Sequence, residues 1–214
     1  MTSGPELSQS FLPQLVGDVI VAAERLKSHD VAGNRRDLVR TTFAAIEGAI
    51  WTMRESVRET TAGVGLLTPM ADMALRELTI HVDDKGRVIE QVRFLTLPTV
   101  IRLTINQAQL LDETFQPSFG DKGWQDLQIA IKVRHRITHP KTTSDLMIAD
   151  SDLSAVRSGF SWLLALVEET LLRTLVASKM HVKLGRELLD ELKRGDPAAL
   201  QLYHQKLSEP DPIT

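Results

Sequence analysis

The chain has 214 residues, of which 43% are hydrophobic and 25% are charged, and its formal net charge is −3. This length and balance are typical of one soluble globular domain that can bury a sizeable core. The slightly acidic charge excludes a surface that is basic throughout, so any contact with a polyanion must be confined to a local basic segment. The absence of cysteine excludes disulfides, thiolate metal sites and a cysteine nucleophile.

No stretch of the sequence is typical of membrane targeting. The N-terminal MTSGPELSQS is polar and lacks the charged-then-apolar order of a signal peptide. The longest uncharged apolar run, residues 158–167, is far shorter than the roughly 20 residues that cross a bilayer. We therefore expect a soluble, cytoplasmic protein without membrane contact, with flexible tails at residues 1–10 and 209–214.

Apolar residues at three- and four-residue spacing predict two helices in the first part of the chain. The first should span residues 11–27. The second should begin near Asn34 or Asp37, either of which could cap it, and end in the glycine-containing loop at residues 61–65. One continuous apolar stripe should bury the second helix, and it consists of Val39, Phe43, Ile46, Ile50, Met53 and Val57.

Residues 68–76 predict a short helix, and residues 78–94 predict a β-hairpin. Thr68 and Pro69 match the cap and first turn of a helix. In the next segment, apolar and polar residues alternate on both sides of the turn sequence DDKG. Because an isolated hairpin is only marginally stable in water, we expect this one to lie against the helices.

Five further helices are predicted in the rest of the chain, over residues 98–114, 124–138, 152–178, 182–193 and 197–207. Asp196 should cap the last of them, with Pro197 in its first turn. The helix from Asp152 has the broadest apolar face, so we expect it at the centre of a bundle. That face consists of Leu153, Val156, Phe160, Leu163, Leu164, Val167, Leu171 and Leu175. The sequence thus predicts an all-α helical bundle, a single domain over residues 11–208 with a hairpin inserted at about residues 77–95.

The segment IKVRHRITHPK, residues 131–141, is the most concentrated basic segment of the chain. On a helical wheel of about 100° per residue, Arg134 falls at the centre of the apolar sector, whereas Arg136 points to the opposite, solvent side. A buried, unpaired guanidinium would cost several kcal/mol, so Arg134 needs an anionic partner or a wet interface. The sector itself contains Trp124, Leu127, Ala130, Ile131 and Ile137, with Thr138 beside it.

His139 lies directly before Pro140. A residue before proline avoids the α conformation, so the helix should end at about Thr138 or His139. This break would free the imidazole to swing back toward Arg134. An arginine beside a histidine suits a phosphate, because the guanidinium binds the oxygens and the imidazole exchanges protons.

Two other interpretations of the basic segment stay open. Histidines near a helix C-terminus are often only partners of the helix dipole. His135 and His139 also have the four-residue spacing of a metal-binding pair, with Asp145 as the only third ligand nearby. Glycine-rich phosphate loops, GxSxG motifs and paired histidine–carboxylate motifs are absent from the sequence.

Residues 123–169 resemble the HEPN superfamily, helical domains marked by an arginine and a histidine with four to six residues between them. Here Arg134 and His139 enclose HRIT, a polar His135 follows the arginine, and Pro140 follows the histidine. As in that family, the motif closes one helix and a long apolar helix follows a short loop. The hairpin is an addition that the core fold of the family does not require.

The resemblance implies a symmetric homodimer in which motif helices of two chains face each other across one composite active site. Many members of the family are metal-independent endoribonucleases that act as toxins or in phage defence, and others are binding modules. By matching positions, Arg134 and His139 would be the catalytic pair, and Glu47 is added as an acidic group able to orient a base. The supporting residues would be His135, Glu47 and Thr138, and the contacts to RNA phosphates would be Lys132, Arg136 and Lys141. Neither a metal nor another cofactor is expected, and an antitoxin or a defence-system protein would be a partner besides RNA.

Three functions stay open on the sequence alone. In an RNA endonuclease, His139 would act as general base or acid at the ribose 2′-hydroxyl, and Arg134 would stabilise the phosphorane-like transition state. A non-catalytic HEPN dimer would instead bind nucleic acid or protein, which the acidic charge and the 5% aromatic content favour. In a structural helical protein, the motif would be a coincidence.

Overall fold

The computed structural model describes residues 11–208 and contains, within that range, seven α-helices and one two-stranded antiparallel sheet. The helices are α1 (Leu12–Ser28), α2 (Ala32–Gly63), α3 (Pro69–Leu75), α4 (Leu97–Ala108), α5 (Lys122–Thr138), α6 (Asp150–Lys193) and α7 (Pro197–Ser208), with a short 3₁₀ helix at Thr143–Leu146. The strands are β1 (Leu78–Val82) and β2 (Val88–Val92). The expected all-α architecture with one hairpin is confirmed, and the predicted tails lie outside the described residues.

The described residues group into two compact units, which divide between Thr174 and Leu175, and the single domain expected over residues 11–208 stays a prediction. The boundary falls inside α6, at the residue where its run of buried side chains ends. The predicted break between residues 178 and 182 was wrong, since α6 continues to Lys193. Neither proline nor glycine lies between these positions, so nothing in the local sequence ends the helix there.

α2 is the central helix of the first unit. It contacts α1, α3, α4 and α5, and its predicted apolar stripe is buried throughout. We had predicted this central position for the helix from Asp152, which is α6. The first half of α6 instead contributes side chains to the same core, among them Leu153, Val156, Leu163 and Val167.

Neither residue predicted to cap α2 does so. The helix begins earlier, at Ala32, after Val31, whose side chain makes no capping hydrogen bond. Asn34 donates from Nδ2 to the carbonyl of His29 at 2.8 Å, and Asp37 pairs with Arg25 of α1 at 2.6 Å. Both side chains therefore connect α1 to α2, which local cap preferences could not indicate.

α5 and the first half of α6 pack closely where glycine removes a side chain. A Cβ at Gly159 would lie 2.6 Å from the Cα of Leu127, and a Cβ at Gly123 would lie 2.6 Å from the Cβ of Trp162. Only a residue without a Cβ permits such an approach. The side chain of Asp121 caps α5 and also accepts a hydrogen bond from the indole of Trp162 at 3.0 Å. These contacts fix the start of the helix whose other end carries the basic segment.

The predicted hairpin is confirmed, with Leu78 opposite Val92 and Val82 opposite Val88. The expectation that helices cover it was wrong beyond its base, because β2 is exposed along its whole length and β1 contacts α3. The hairpin turn is held locally, since the carboxylate of Asp83 accepts hydrogen bonds from two backbone N–H groups of the loop at 2.9 Å. Apart from the contact of β1 with α3, one apolar face of the hairpin is exposed to solvent.

The remaining helix boundaries agree with the sequence at most ends. Thr68 caps α3 by accepting from the backbone of Ala71, and Asp196 caps α7 through two backbone N–H groups at 3.0 Å. α4 is shorter than predicted, because the chain turns after Ala108 and buries Phe115 in the core. Among the helices of residues 11–208, none combines the length and the apolar character that crossing a membrane requires.

Candidate functional site

α5 ends where the sequence predicts. Thr138 is its last residue, and His139 follows with φ −125° and ψ 58°, outside the helical region, as expected before proline. The backbone N–H of His139 still donates to the carbonyl of His135 at 3.0 Å. The hydroxyl of Thr138 donates to the carbonyl of Arg134 at 2.7 Å, so this supporting residue closes the last turn of the helix.

The imidazole of His139 lies beside that of His135. The two ring centroids are 5.1 Å apart and the ring planes are inclined by 55°. Both residues are exposed, and within residues 11–208 neither ring has a hydrogen-bond partner. In the same part of the chain, no hydrogen bond joins His139 to Arg134. The two residues of the motif thus lie at the same helix end without a hydrogen bond between them in one chain.

Arg134 lies at the edge of the buried face of α5. The prediction that it occupies the centre of that face was wrong, because Val133 is buried while the Arg134 side chain is 38% exposed. Its guanidinium nonetheless has an anionic partner, since Nη2 donates to Oε1 of Glu47 on α2 at 3.0 Å. The buried face as observed consists of Trp124, Asp126, Leu127, Ala130, Val133 and Ile137.

The three residues predicted to contact RNA phosphates have different surroundings. Lys132 and Lys141 are exposed and available to solvent. Arg136 is half-buried and donates to Asp152 of α6 at 2.8 Å, so the prediction that it points to the solvent side was wrong. Its guanidinium holds α5 to α6, which leaves the two lysines as the exposed cations of this set.

Arg134 and Glu47 line a cleft of about 610 Å³ formed by α2, α4, α5 and the segment after β2. A second ion pair, Arg54 with Glu77, also lines it, with 2.9 Å between Nη1 and Oε2. Neither His135 nor His139 is among the lining residues. The cleft therefore combines two arginine–glutamate pairs with apolar and aromatic side chains, which are Phe43, Ile50, Trp51, Phe94, Leu95, Leu97, Val100 and Ile131.

Glu77 holds the hairpin side of this cleft. Its φ of 55° is the one positive φ of a non-glycine residue within residues 11–208, a conformation that costs about 1–2 kcal/mol. Three hydrogen bonds compensate: its carboxylate accepts from Arg54 at 2.9 Å and from the backbone of Leu95 at 2.7 Å, and its carbonyl accepts from the backbone of Arg93 at 2.8 Å. These bonds tie α2 to the chain on both sides of Phe94.

The carboxylate that could complete a metal site with His135 and His139 has another role. Asp145 accepts hydrogen bonds from the backbone N–H groups of Lys141 and Thr142, both at 2.8 Å. These donors hold the pKa of that carboxyl below its usual range. Across residues 11–208, no group of three or more histidine, aspartate or glutamate side chains is arranged to hold a metal ion.

Sequence reasoning did not propose Trp51, Arg54, Glu77 or Phe94 as site residues. A signal for the first was present, because Trp51 directly follows a residue of the apolar stripe of α2 in a chain with few aromatic residues. Glu77 offers no comparable signal, since its positive φ is set by partners as far as 23 positions away in the sequence.

No family model matches the chain, and neither a curated protein nor a solved structure matches it. The resemblance to the HEPN superfamily therefore remains a prediction that rests on the motif residues of α5.

Proposed function

We propose that the chain is a metal-independent endoribonuclease of the HEPN type. The observation that supports this most directly is the pair of exposed imidazoles at the end of α5, which are 5.1 Å apart between ring centroids. One of them, His135, directly follows Arg134 in the sequence. Histidine is the side chain that most often transfers protons near neutral pH. An exposed helix end also gives a flexible RNA strand access without rearrangement of the core.

The proposed reaction is an internal transesterification. The 2′-oxygen attacks the adjacent phosphorus while the bond from phosphorus to the 5′-oxygen breaks. His139 takes the proton of the 2′-hydroxyl or supplies one to the leaving 5′-oxygen, and His135 supports it, while the other of these two protons is exchanged with solvent. The products are a 2′,3′-cyclic phosphate and a 5′-hydroxyl, so the step consumes neither water nor an oxidant.

Arg134 would stabilise the charge that develops on the phosphoryl oxygens. The pair with Glu47 uses one of its two terminal nitrogens, and a guanidinium has five N–H donors. The remaining donors can bind a phosphate while the carboxylate holds the side chain in place. Lys132 and Lys141, both exposed, would contact neighbouring phosphates of the strand. Such an enzyme suits a cytoplasmic toxin or phage-defence protein that an antitoxin or another defence protein controls.

A second function is favoured by one observation. Within a single chain Glu47 neutralises Arg134, and His139 lies beside His135 without bonding to Arg134. A protein that binds RNA or another protein without cleaving it requires no closer approach of the two motif residues. The alternative is therefore a non-catalytic HEPN dimer that serves as a binding module.

The test compares purified wild-type protein with His139→Ala, Arg134→Ala and His135→Ala on single-stranded RNA in the presence of EDTA. General acid–base groups contribute about 10²–10⁴-fold in rate, so His139→Ala should lose detectable cleavage. Arg134→Ala should lose it as well, and His135→Ala should have a milder effect. His29→Ala is a matched control, because His29 is also an exposed histidine that follows the last turn of a helix. Melting curves confirm that each variant is folded.

Three results would contradict this mechanism. Undiminished cleavage by folded His139→Ala would exclude His139 as the proton-transfer group. Loss of wild-type cleavage with EDTA, together with about one zinc ion per chain, would favour the metal interpretation. Absence of cleavage by the wild type across varied RNAs would favour the binding module.

A further inference from the structure

We propose that the cleft holds one nucleobase of the RNA strand, stacked against the rings of Trp51 and Phe94. The inference rests on the proposed function in taking RNA as the ligand, but it concerns recognition and not the chemical step. It assigns a base-binding role to residues outside the motif, on α2 and on the segment after β2.

The two aromatic side chains are exposed at the cleft, although most large apolar residues of α2 are buried. Trp51 is 49% exposed, and its ring contacts that of Phe11 with 5.5 Å between centroids. Phe94 is 84% exposed. Aromatic rings that keep an open face are the usual platforms on which proteins stack unpaired bases.

The backbone on both sides of Phe94 is held in place, although the Phe94 side chain is exposed. Glu77 binds the backbone N–H groups of Arg93 and Leu95, the residues immediately before and after it, at 2.8 and 2.7 Å. Glu77 has a positive φ and is anchored to α2 by Arg54. Strained backbone of this kind is typical of functional sites, where it holds a group in a defined place.

The charges of the cleft favour an uncharged ligand with polar edges. The charged lining residues are two arginines and two glutamates, and each of these arginines is paired with one of these glutamates. A phosphate inside the cleft would meet two carboxylates, so the phosphate that Arg134 is proposed to bind would lie outside it, toward the end of α5. A base is neutral and carries both donors and acceptors on its edge. Guanidinium N–H groups can donate to ring nitrogens and carbonyls, and the carboxylates can accept from amino groups.

The size and place of the cleft agree with a base joined to a strand. Its volume of about 610 Å³ lies within the range of about 300–1,000 Å³ that small-molecule sites have. Arg134 lines the cleft, and the next residue in α5 is the exposed His135. A base inside the cleft would therefore leave its ribose and phosphate near the end of α5, where the proposed cleavage takes place.

The test measures binding separately from cleavage. A labelled single-stranded 2′-O-methyl RNA cannot be cleaved by its own 2′-oxygen, and its affinity is measured by fluorescence anisotropy. One stacked base corresponds to about a 5- to 150-fold change in affinity, so Trp51→Ala and Phe94→Ala should each weaken binding by a factor in this range. A strand of equal length without bases should bind the wild type more weakly by at least the same factor. Tyr203→Ala is the matched control and should bind as the wild type does, because Tyr203 is also 49% exposed but does not line the cleft.

The outcomes separate this inference from the proposed enzyme. If both aromatic variants fold and bind the strand as tightly as the wild type, the base site is overturned, even if RNA cleavage is found. Equal binding of the strand without bases overturns it too, because only phosphates would then be recognised. If the wild type binds no strand at all, the base site is overturned as well, because RNA is then not the ligand. A protein whose partner is another protein would give this result. If binding depends on Trp51 and Phe94 but no RNA is cleaved, the base site is supported and the proposed nuclease activity is excluded.

Discussion

The ion pair between Arg134 and Glu47 connects α5 to α2 at the cleft. Both side chains are substantially exposed, 38% and 51%, and exposed pairs of this kind stabilise a fold by only about 0–1 kcal/mol. We therefore expect this contact to determine the position of the Arg134 guanidinium and to contribute little to the stability of the fold.

Glu47→Gln tests whether the Glu47 carboxylate positions Arg134. The melting temperature should stay within about 4 °C of the wild type, because about 1 kcal/mol shifts the midpoint of a protein of this size by about 2–4 °C. RNA cleavage should fall by about 10- to 100-fold, since a group displaced by about 1 Å can cost that much in rate. Asp37→Asn is the control, because it breaks a similarly exposed pair, with Arg25, away from the cleft, and should leave cleavage unchanged. Unaltered cleavage by Glu47→Gln would show that the carboxylate does not position Arg134.

The sequence could predict a partner for Arg134 but not the geometry of the motif. The need for an anionic partner or a wet interface followed from the cost of an unpaired guanidinium, but Glu47 was expected to orient a base, and its pairing with Arg134 was not predicted. The helical wheel, however, placed Arg134 at the centre of the buried face, whereas in the structure that face is shifted toward Val133 and Ile137 and leaves Arg134 at its edge. The direction of the His139 imidazole depends on backbone angles after the helix end, which no periodicity defines.

The sequence predicts best those helix ends and buried faces that depend on local chemistry. The stripe of α2, the end of α5 before Pro140 and the cap of α7 at Asp196 all follow from spacing, proline and capping rules. The cover of the hairpin could not be predicted, because alternation shows which face is apolar and not whether another element lies on it. The close approach of α5 and α6 likewise appears only when both helices are seen together.

The close packing of α5 against α6 can be tested at two glycines of α6. Gly159→Ala would place a Cβ 2.6 Å from the Cα of Leu127, and backbone atoms cannot move away as a flexible side chain can. Overpacking of this kind costs about 1–3 kcal/mol, so the free energy of unfolding should fall by this amount in urea titrations. Gly185→Ala is the matched control within the same helix, with no atom within 4 Å of the added Cβ. It should raise the stability by about 0.5–1 kcal/mol, because alanine is the better residue inside a helix. A neutral or stabilising Gly159→Ala would contradict the close packing of α5 on α6.

At the scale of the whole molecule, no hydrogen bond joins the two motif residues within one chain, and only one of them lines the cleft. Arg134 lines the cleft with Glu47, and His139 lies outside it beside His135. The resemblance to the HEPN superfamily offers a resolution, since its composite site would bring residues of two chains together across a two-fold axis. If that holds, the unit that cleaves RNA is a dimer, and an Arg134 from one chain can act with a His139 from the other.

Mixing two inactive variants tests this directly. Arg134→Ala and His139→Ala should each be inactive alone, but a mixed dimer would hold one intact arginine and one intact histidine in the shared site. After the two proteins exchange subunits, RNA cleavage should rise above that of either variant alone, and light scattering should report dimers at micromolar concentration. The control mixes Arg134→Ala with a variant that lacks both side chains, which should restore nothing because no intact arginine is present. Dimers without recovered activity would place the whole site within one chain, and a monomeric wild type would remove the composite site altogether.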